Sequence, residues 1–209
     1  MRPPFAAPVA IDAAPAYRGA PFPSPRRIRP VNALLRLAAA IDALNDRLGT
    51  LAAAMVLAAC LASAANAALR YAFDLSSNAW LEAQWYLFAG AVMLGAARTL
   101  RLNEHVRVDI LYLRLGERGR EWLDLAGLLF FLLPSMVAIA WLAWPFFLQS
   151  FAVQETSPNA GGLLRWPVKL LVPAGCALVA LQGVSEAIKR VAALAGRARF
   201  DSRYERPVQ

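Results

Sequence analysis

The stretch from Trp80 to Asp109, WLEAQWYLFAGAVMLGAARTLRLNEHVRVD, decides the fold because a long apolar run changes there into a charged segment. No residue between Ala83 and Ala97 is charged, so this part suits the interior of a bilayer. The following part suits the membrane surface, and we predict that it forms a cytoplasmic surface motif. The motif comprises Arg98, Glu104, His105, Arg107 and Asp109.

The composition of the whole chain also predicts a membrane protein. Of 209 residues, 59% are hydrophobic and 17% are charged, which is more apolar than an ordinary soluble domain. The formal net charge is +8, but the basic residues fall in blocks between apolar runs and not in one patch. This distribution argues against a nucleic-acid partner and favours the lipid bilayer as the main surrounding of the chain.

Four apolar runs are long enough to cross the hydrocarbon core, which is about 30 Å thick and needs about 20 helical residues. We therefore predict an all-α membrane protein with four transmembrane helices. The third run contains Pro134 and Pro145, and its excess length predicts a tilted or kinked helix. The predicted spans cover about 51–69, 79–97, 122–148 and 168–188.

Amphipathic surface helices are predicted beside these spans. Over 31–48, apolar residues recur at intervals of three and four, which is typical of a helix with one apolar face. Within the connector 98–121, Val106, Ile110 and Leu113 share a helical face that suits a membrane surface.

The distribution of Lys and Arg predicts the orientation. Of the 22 basic residues, 19 lie in the segments 1–48, 98–121 and 188–209, which alternate with the two poorly basic connectors. Because Lys and Arg favour the cytoplasmic side, both termini are expected in the cytoplasm. The turn at Asp74 and the loop containing Gly161 and Gly162 are then expected to face outward.

Outside the predicted four-helix domain, 31–192, the chain has no packed pattern. Residues 1–30 are rich in Pro and Arg and predict a disordered basic tail, and 193–209 predict a basic cytoplasmic tail. The N-terminal segment does not have the order of a signal peptide. Whether residues 1–30 belong to the native product stays open at this point.

Catalytic and metal-binding chemistry is not expected in this chain, and no cofactor is predicted. His105 is its single histidine, so a multi-histidine site cannot form. Cys60 and Cys176 each lie in an apolar run without a CxxC pattern, and we expect both to behave as small hydrophobic residues.

Charged and amide side chains near the ends of the spans are the remaining candidates. Glu82, Asp124 and Glu186 have two interpretations: carboxylates paired with neighbours such as Arg70 or Lys189, or, for Glu82, contact with a partner subunit or an external domain. The amides of Asn66 and Gln182 could form hydrogen bonds across a helix interface.

Several short motifs resemble the small permease subunit of tripartite ATP-independent periplasmic (TRAP) transporters. They are WLE (80–82), YLF (86–88), MLGAARTL (93–100) and NEHVRVDI (103–110). Three further motifs resemble the mannitol or chloroaromatic-compound branch: ETSPNAGGL (155–163), WPVK (166–169) and QGVSE (182–186). The resemblance covers about residues 40–192. The chain has Ala83 where the family often has a second acidic residue, so a carboxylate pair is not expected there.

The resemblance implies a non-enzymatic scaffold in the bacterial inner membrane. A larger permease subunit would hold the sodium ions and the solute, and a periplasmic solute-binding protein would deliver an organic acid or related compound. Two alternatives remain at this point: a membrane anchor for a redox or other enzyme complex, and a self-sufficient small transporter. The candidate docking or interface residues are Asp74, Trp80, Glu82, Glu155, Arg165 and Trp166.

Overall fold

A computed structural model describes residues 33–75, 77–104 and 114–195, and the regular structure in these ranges is helical. The tail predicted over 1–30 and most of the tail predicted over 193–209 lie outside the described residues. A π-helical turn, Leu128–Leu132, joins the third α-helix to the fourth. The α-helices are α1 (Ala33–Phe73), α2 (Asn78–Leu102), α3 (Glu117–Gly127), α4 (Leu133–Ala152) and α5 (Trp166–Leu194).

Helix α5 occupies the centre of the packing, because it contacts α1, α2 and α4. It runs parallel to α2, as Gly90 lies near Leu171 and Gly175 lies near Met93. Both α1 and α4 run antiparallel to α5. The bundle therefore has a loop end, with the connectors 74–77 and 153–165, and a charged end, with the start of α1, the end of α2, α3 and the end of α5.

The inward face of α1 is built from small and polar residues. Ala38, Asn45, Gly49 and Ala52 are buried along this face. Small side chains let helix backbones approach closely, which matters in a bilayer because apolar area alone does not drive helices together there. The same helix exposes large apolar residues, among them Leu34, Leu37, Leu44, Leu51, Leu57 and Leu61.

This burial pattern corrects the predicted amphipathic helix over 31–48. The segment is the beginning of α1, which continues without a break to Phe73. Of the apolar positions that define the predicted face, Ile41 is buried, whereas Leu34, Leu37 and Leu44 are exposed. Packing through Ala38 and Asn45 turns the leucines outward, so the leucine pattern predicts the helix but not the face that packs.

The third apolar run belongs to a long rod that covers Arg118–Ala152 and includes the π-helical turn. At about 1.5 Å per residue, these 35 residues extend about 52 Å, which exceeds the hydrocarbon core. The Leu133 N–H donates to the Leu128 carbonyl at the end of the π-helical turn. Pro134, which has no N–H, follows directly, so the backbone irregularity lies beside the proline that predicted it.

Three described helices are long and apolar enough to cross a membrane: Ala33–Phe73, Arg118–Ala152 and Trp166–Leu194. Helix α2 has a sufficient length of 25 residues but a more polar sequence. Glu82 and Gln84 lie in its first two turns, and Arg98 and Arg101 lie near its end. The all-helical membrane fold is therefore confirmed, while the apolarity of the helices accounts for three of the four predicted spans.

Replacing Gly175 by Ala should destabilise the packing of α2 on α5. An added Cβ would lie 2.8 Å from the Met93 Cβ and 2.9 Å from the Met93 carbonyl oxygen. The backbone oxygen cannot move without shifting α2, so we expect a loss of about 1–3 kcal/mol. A lower unfolding temperature of the purified chain in detergent would show this loss.

Gly90→Ala provides the matched control, because it adds the same methyl group on α2, where the nearest side chain belongs to α1. Its Cβ would meet the Met55 Cε at 2.4 Å, and that atom ends a flexible side chain. The decrease in unfolding temperature should therefore be smaller for Gly90→Ala. Equal decreases for the two variants would contradict the close α2–α5 approach at Met93.

Candidate functional site at the two polar ends of the bundle

The carboxylate of Glu82 ties the loop end together. Glu82 is only 4% exposed, although it lies near the start of α2. Its Oε1 accepts hydrogen bonds from the Ser157 hydroxyl and from Asn159 Nδ2, the latter at 2.8 Å. Its Oε2 accepts from the Leu163 N–H at 2.7 Å. The described partners of Glu82 therefore lie in the α4–α5 connector of the same chain, in place of the predicted Arg70.

The α4–α5 connector forms a compact hairpin that fits around this carboxylate. Thr156 and Leu164 form an antiparallel bridge, and the Ser157 N–H donates to the Leu163 carbonyl at 2.9 Å. Gly161 has a φ of +70°, which glycine adopts without strain. A Cβ on Gly162 would lie 2.5 Å from the Ser157 Cβ. Both glycines are therefore required by the shape of this hairpin, which we call the outer hairpin (155–165).

Three of the predicted docking residues meet where the outer hairpin enters α5. Glu155 accepts a hydrogen bond from Lys169 Nζ, and Arg165 Nη1 lies 3.9 Å from Glu155 Oε1. The Trp166 ring meets Phe151 edge-on, with centroids 5.3 Å apart. The Arg165 side chain remains 41% exposed, so this junction presents a cation at the surface of the loop end, while Trp166 beside it is partly buried.

Asp74 lies on the other connector of the loop end, and Trp80 lies at the start of α2, which follows it. Asp74 is exposed and has a φ of 53°, a left-handed conformation directly after the last residue of α1. Trp80 is 45% exposed in the first turn of α2. Asn78 Nδ2 donates to the Ala160 carbonyl at 3.3 Å and so joins this connector to the outer hairpin. All six predicted docking residues thus lie at one end, with Glu82 inside and Asp74, Trp80 and Arg165 accessible.

At the charged end, a buried network connects α1 to α5. Asn45 and Gln182 are both fully buried, and Asn45 Nδ2 donates to Gln182 Oε1 at 2.7 Å. Gln182 Nε2 donates to Asp42 Oδ1 at 2.9 Å and to Glu186 Oε1 at 3.0 Å. The predicted bond of Gln182 across a helix interface is therefore confirmed. These bonds compensate the burial of Gln182 and of the Asn45 amide nitrogen, while Asn45 Oδ1 has no hydrogen-bond partner among the described residues.

Ion pairs complete this network. Lys189 Nζ lies 2.7 Å from Asp42 Oδ2 and 2.8 Å from Glu186 Oε1, which confirms the predicted pairing of Glu186 with Lys189. The Ser185 hydroxyl also donates to Asp42 Oδ1, at 2.8 Å. Sequence reasoning missed Asp42, Asn45 and Ser185 as network members. The signal was available, since residues 182, 185, 186 and 189 share one helical face.

Two further sets of ion pairs connect the other helices at the charged end. Arg101 Nη2 lies 2.8 Å from Asp46 Oδ1, which joins α2 to α1. Arg190 Nη1 donates to both oxygens of Glu121 at 3.0 Å, which joins α5 to α3. Every described helix that reaches this end is therefore bound to a neighbour by charged groups.

The predicted cytoplasmic surface motif is only partly described. Arg98 lies 3.9 Å from Asp46 and packs against Gly49, so it belongs to the α1–α2 contact. Glu104 is exposed just after α2. His105, Arg107 and Asp109 lie outside the described residues. In the described ranges, no group of three or more His, Cys, Asp or Glu residues is placed to hold a metal ion.

Glu82→Gln should loosen the outer hairpin. The amide keeps one oxygen acceptor but loses the second acceptor and the charge that three donors now share. We expect Ala160→Cys, at the exposed tip of the hairpin, to react faster with a large maleimide in the Glu82→Gln background. The measurement is the labelling rate of purified protein in detergent.

Glu104→Gln makes the same chemical change at the exposed opposite end and serves as the control for this experiment. It should leave the labelling rate of Ala160→Cys unchanged. An unchanged rate in the Glu82→Gln protein would show that the carboxylate does not hold the hairpin.

Acid should weaken the junction between the outer hairpin and α5. The hydrogen bond from Lys169 holds the pKa of Glu155 below its ordinary value of 4.5. A lowered folded-state pKa means that this pair stabilises the fold fully above about pH 4.5 and that the stabilisation is lost as the pH falls through the lower value. Glu155→Gln should therefore reduce the dependence of the unfolding temperature on pH between about 5 and 3.

Lys169→Met removes the other member of the pair and should reduce the same pH dependence. If both variants keep the parental slope below pH 5, the Glu155–Lys169 contact does not contribute to acid sensitivity.

Comparisons with known proteins identify the family of this bundle. A family model described as "Tripartite ATP-independent periplasmic transporters, DctQ component" matches residues 59–193. The match includes about the last third of α1, all of α2 to α4 and nearly all of α5, and so contains the complete loop end. No curated protein and no solved structure matches the chain. Because the family model covers well over half of the sequence, the chain belongs to the DctQ family, the small membrane subunits of TRAP transporters.

Proposed function

We propose that this chain is the fixed membrane scaffold beside the large permease subunit of a TRAP transporter. The observation that carries this proposal is that the buried polar groups bind one another. Gln182 with Asn45, and Lys189 with Asp42, connect separate helices, while Glu82 binds the outer hairpin. Buried polar groups that bind one another across an interface hold helices in one arrangement, and a static support for a moving partner requires such rigidity.

The scaffold crosses the membrane four times, with α2 as the additional crossing. From Trp80 to Arg98, α2 rises about 27 Å, close to the thickness of the hydrocarbon core. Its most polar group within this distance, Glu82, is hydrogen-bonded inside the protein, which lowers the cost of placing a carboxylate near the membrane. Helix α5, which runs parallel to α2, has an apolar part of similar length. Its charged residues Lys169 and Glu186 are about 26 Å apart along the helix.

The charged end faces the cytoplasm of a bacterium, and the loop end faces the periplasm. Four crossings bring both ends of the chain to the charged end. The segments 1–48, 98–121 and 188–209 hold 19 of the 22 Lys and Arg residues, and basic residues favour the cytoplasmic side. The membrane that separates the cytoplasm from the periplasm is the inner membrane, so the chain is assigned to that membrane.

The loop end provides a docking surface for a periplasmic solute-binding protein. Arg165, Trp80 and Asp74 supply exposed charge and aromatic area there, and Trp166 is partly buried beside them against Phe151. Glu82 contributes indirectly, because it holds the outer hairpin that leads to Arg165 and Trp166. The sequence of this hairpin is also the basis for placing the chain in the mannitol or chloroaromatic-like branch.

Transport by the complete complex is sodium-coupled uptake of an organic acid or a related solute. The sodium and solute sites lie in the large subunit, and this chain needs no cofactor of its own. The carboxylates of the scaffold that lie inside the bundle have protein donors as partners, which supports a structural assignment for them.

Co-purification and reconstitution test the scaffold proposal. The tagged chain should bring down a large membrane protein, and vesicles containing both should accumulate solute when the binding protein and a sodium gradient are supplied. Vesicles containing this chain alone should accumulate none. Uptake by the chain alone, or recovery with a redox enzyme in place of a permease, would overturn the proposal.

Variants within the same assay test docking. Trp166→Ala and Glu82→Gln should decrease uptake while the large subunit still co-purifies in normal amount. If either variant loses the large subunit, its residue serves the assembly of the membrane complex and not the docking of the binding protein. Trp141→Ala, on the exposed face of α4, is a control with the same size reduction as Trp166→Ala away from the loop end.

A further inference from the structure

We propose that a groove at the charged end binds one glycerophospholipid with a zwitterionic, ethanolamine-type headgroup. The groove lies between the end of α2 and the rod formed by α3, the π-helical turn and α4, and α5 closes its floor. Its volume is about 610 Å³, which is within the range of about 300–1,000 Å³ common for small-molecule sites. The proposal requires only that the chain is embedded in a membrane and is independent of the solute.

Both signs of charge line the groove at its polar end. Arg101 and Arg190 contribute two guanidinium groups, and Asp124 and Glu186 contribute two carboxylates. The formal charges balance, so a purely anionic headgroup would bring its charge beside two carboxylates. A headgroup with a phosphate and an ammonium group can place each charge near its opposite, and Arg is well suited to phosphate.

Existing ion pairs do not close this polar end. Arg101 binds Asp46 through Nη2, yet 28% of its side chain remains exposed. Arg190 binds Glu121 and lies 3.3 Å from Asp124, which keeps its guanidinium at the edge of the groove. A phosphate would therefore join ion pairs that are already oriented.

The remaining wall of the groove is apolar except for Ser135 and extends toward the membrane interior. Leu128, Phe131, Leu132 and Met136 line it over about 12 Å of helix. Phe131 is 75% exposed, so nothing within the described chain covers this wall. Charged groups at the membrane boundary followed by apolar residues at greater depth reproduce the order of a phospholipid, in which the headgroup precedes the acyl chain.

Gly127 supplies space within the groove. It lines the cavity at the end of α3, and a Cβ added to it would meet no atom within 4 Å. A large side chain at this position can therefore occupy the groove without distorting the bundle. Gly116, before α3, also has open space around an added Cβ and does not line the groove.

Native mass spectrometry of the full-length chain provides the test. The protein is released from detergent after incubation with equal amounts of phosphatidylethanolamine, phosphatidylglycerol and phosphatidylcholine. We expect each chain to retain one lipid and to favour phosphatidylethanolamine over the other two lipids by about threefold or more. A preference of this size corresponds to one partly exposed ionic contact. Gly127→Phe should abolish this preference, and Gly116→Phe should preserve it.

A charge variant distinguishes a headgroup site from general lipid adhesion. Glu186→Gln leaves the groove with one more positive than negative group, so the preferred lipid should change from phosphatidylethanolamine to the anionic phosphatidylglycerol. A merely structural contribution of Glu186 would lower the stability of the bundle without reversing the preference.

The outcomes of these experiments show whether the groove binds a lipid or a segment of another protein. Binding without headgroup preference, or phosphatidylethanolamine binding that survives in Gly127→Phe, would overturn the proposal. It would also be overturned if the isolated chain retained no lipid and Gly127→Phe prevented association with the large membrane partner, since the groove would then receive a protein helix.

Discussion

The fold depends on the constraint that a polar group in a bilayer must find its partner inside the protein. This chain meets the constraint with contacts between segments far apart in sequence. Asn45 bonds to Gln182, and Glu82 bonds to the backbone and side chains of the outer hairpin. Each contact satisfies a buried group and simultaneously fixes the position of another element.

Helix α5 takes part in contacts at both ends of the bundle and along its middle. Its first turns carry Lys169, which binds Glu155 at the loop end, and its last turns carry Lys189 and Arg190 at the charged end. Between them, Gly175 and Gly183 permit close approach of α2 and of the π-helical turn. One helix therefore holds the α1–α2 pair and the α3–α4 rod in position, which is consistent with a subunit that supports a larger partner.

The sequence identified those parts of the candidate site whose residues are unusual for their surroundings. Glu82 and the outer hairpin were both selected from the sequence, because a carboxylate in an apolar run and a Gly-Gly turn are unusual. Their mutual contact was not predicted, since 75 residues separate Glu82 from Ser157. Asp42 was not predicted to make any contact, whereas the structure pairs it with Lys189 and Gln182 between α1 and α5.

The sequence by itself determined the helical membrane class and three strongly apolar spans, because these depend on local composition and on the length of each apolar run. Motifs between Trp80 and Glu186 also indicated the family that the match over residues 59–193 establishes. Only the tertiary structure decided that the leucines of early α1 face outward and that Glu82 faces inward. Periodicity defines faces relative to one helix, while packing against α2, α5 and the outer hairpin decides which face is buried.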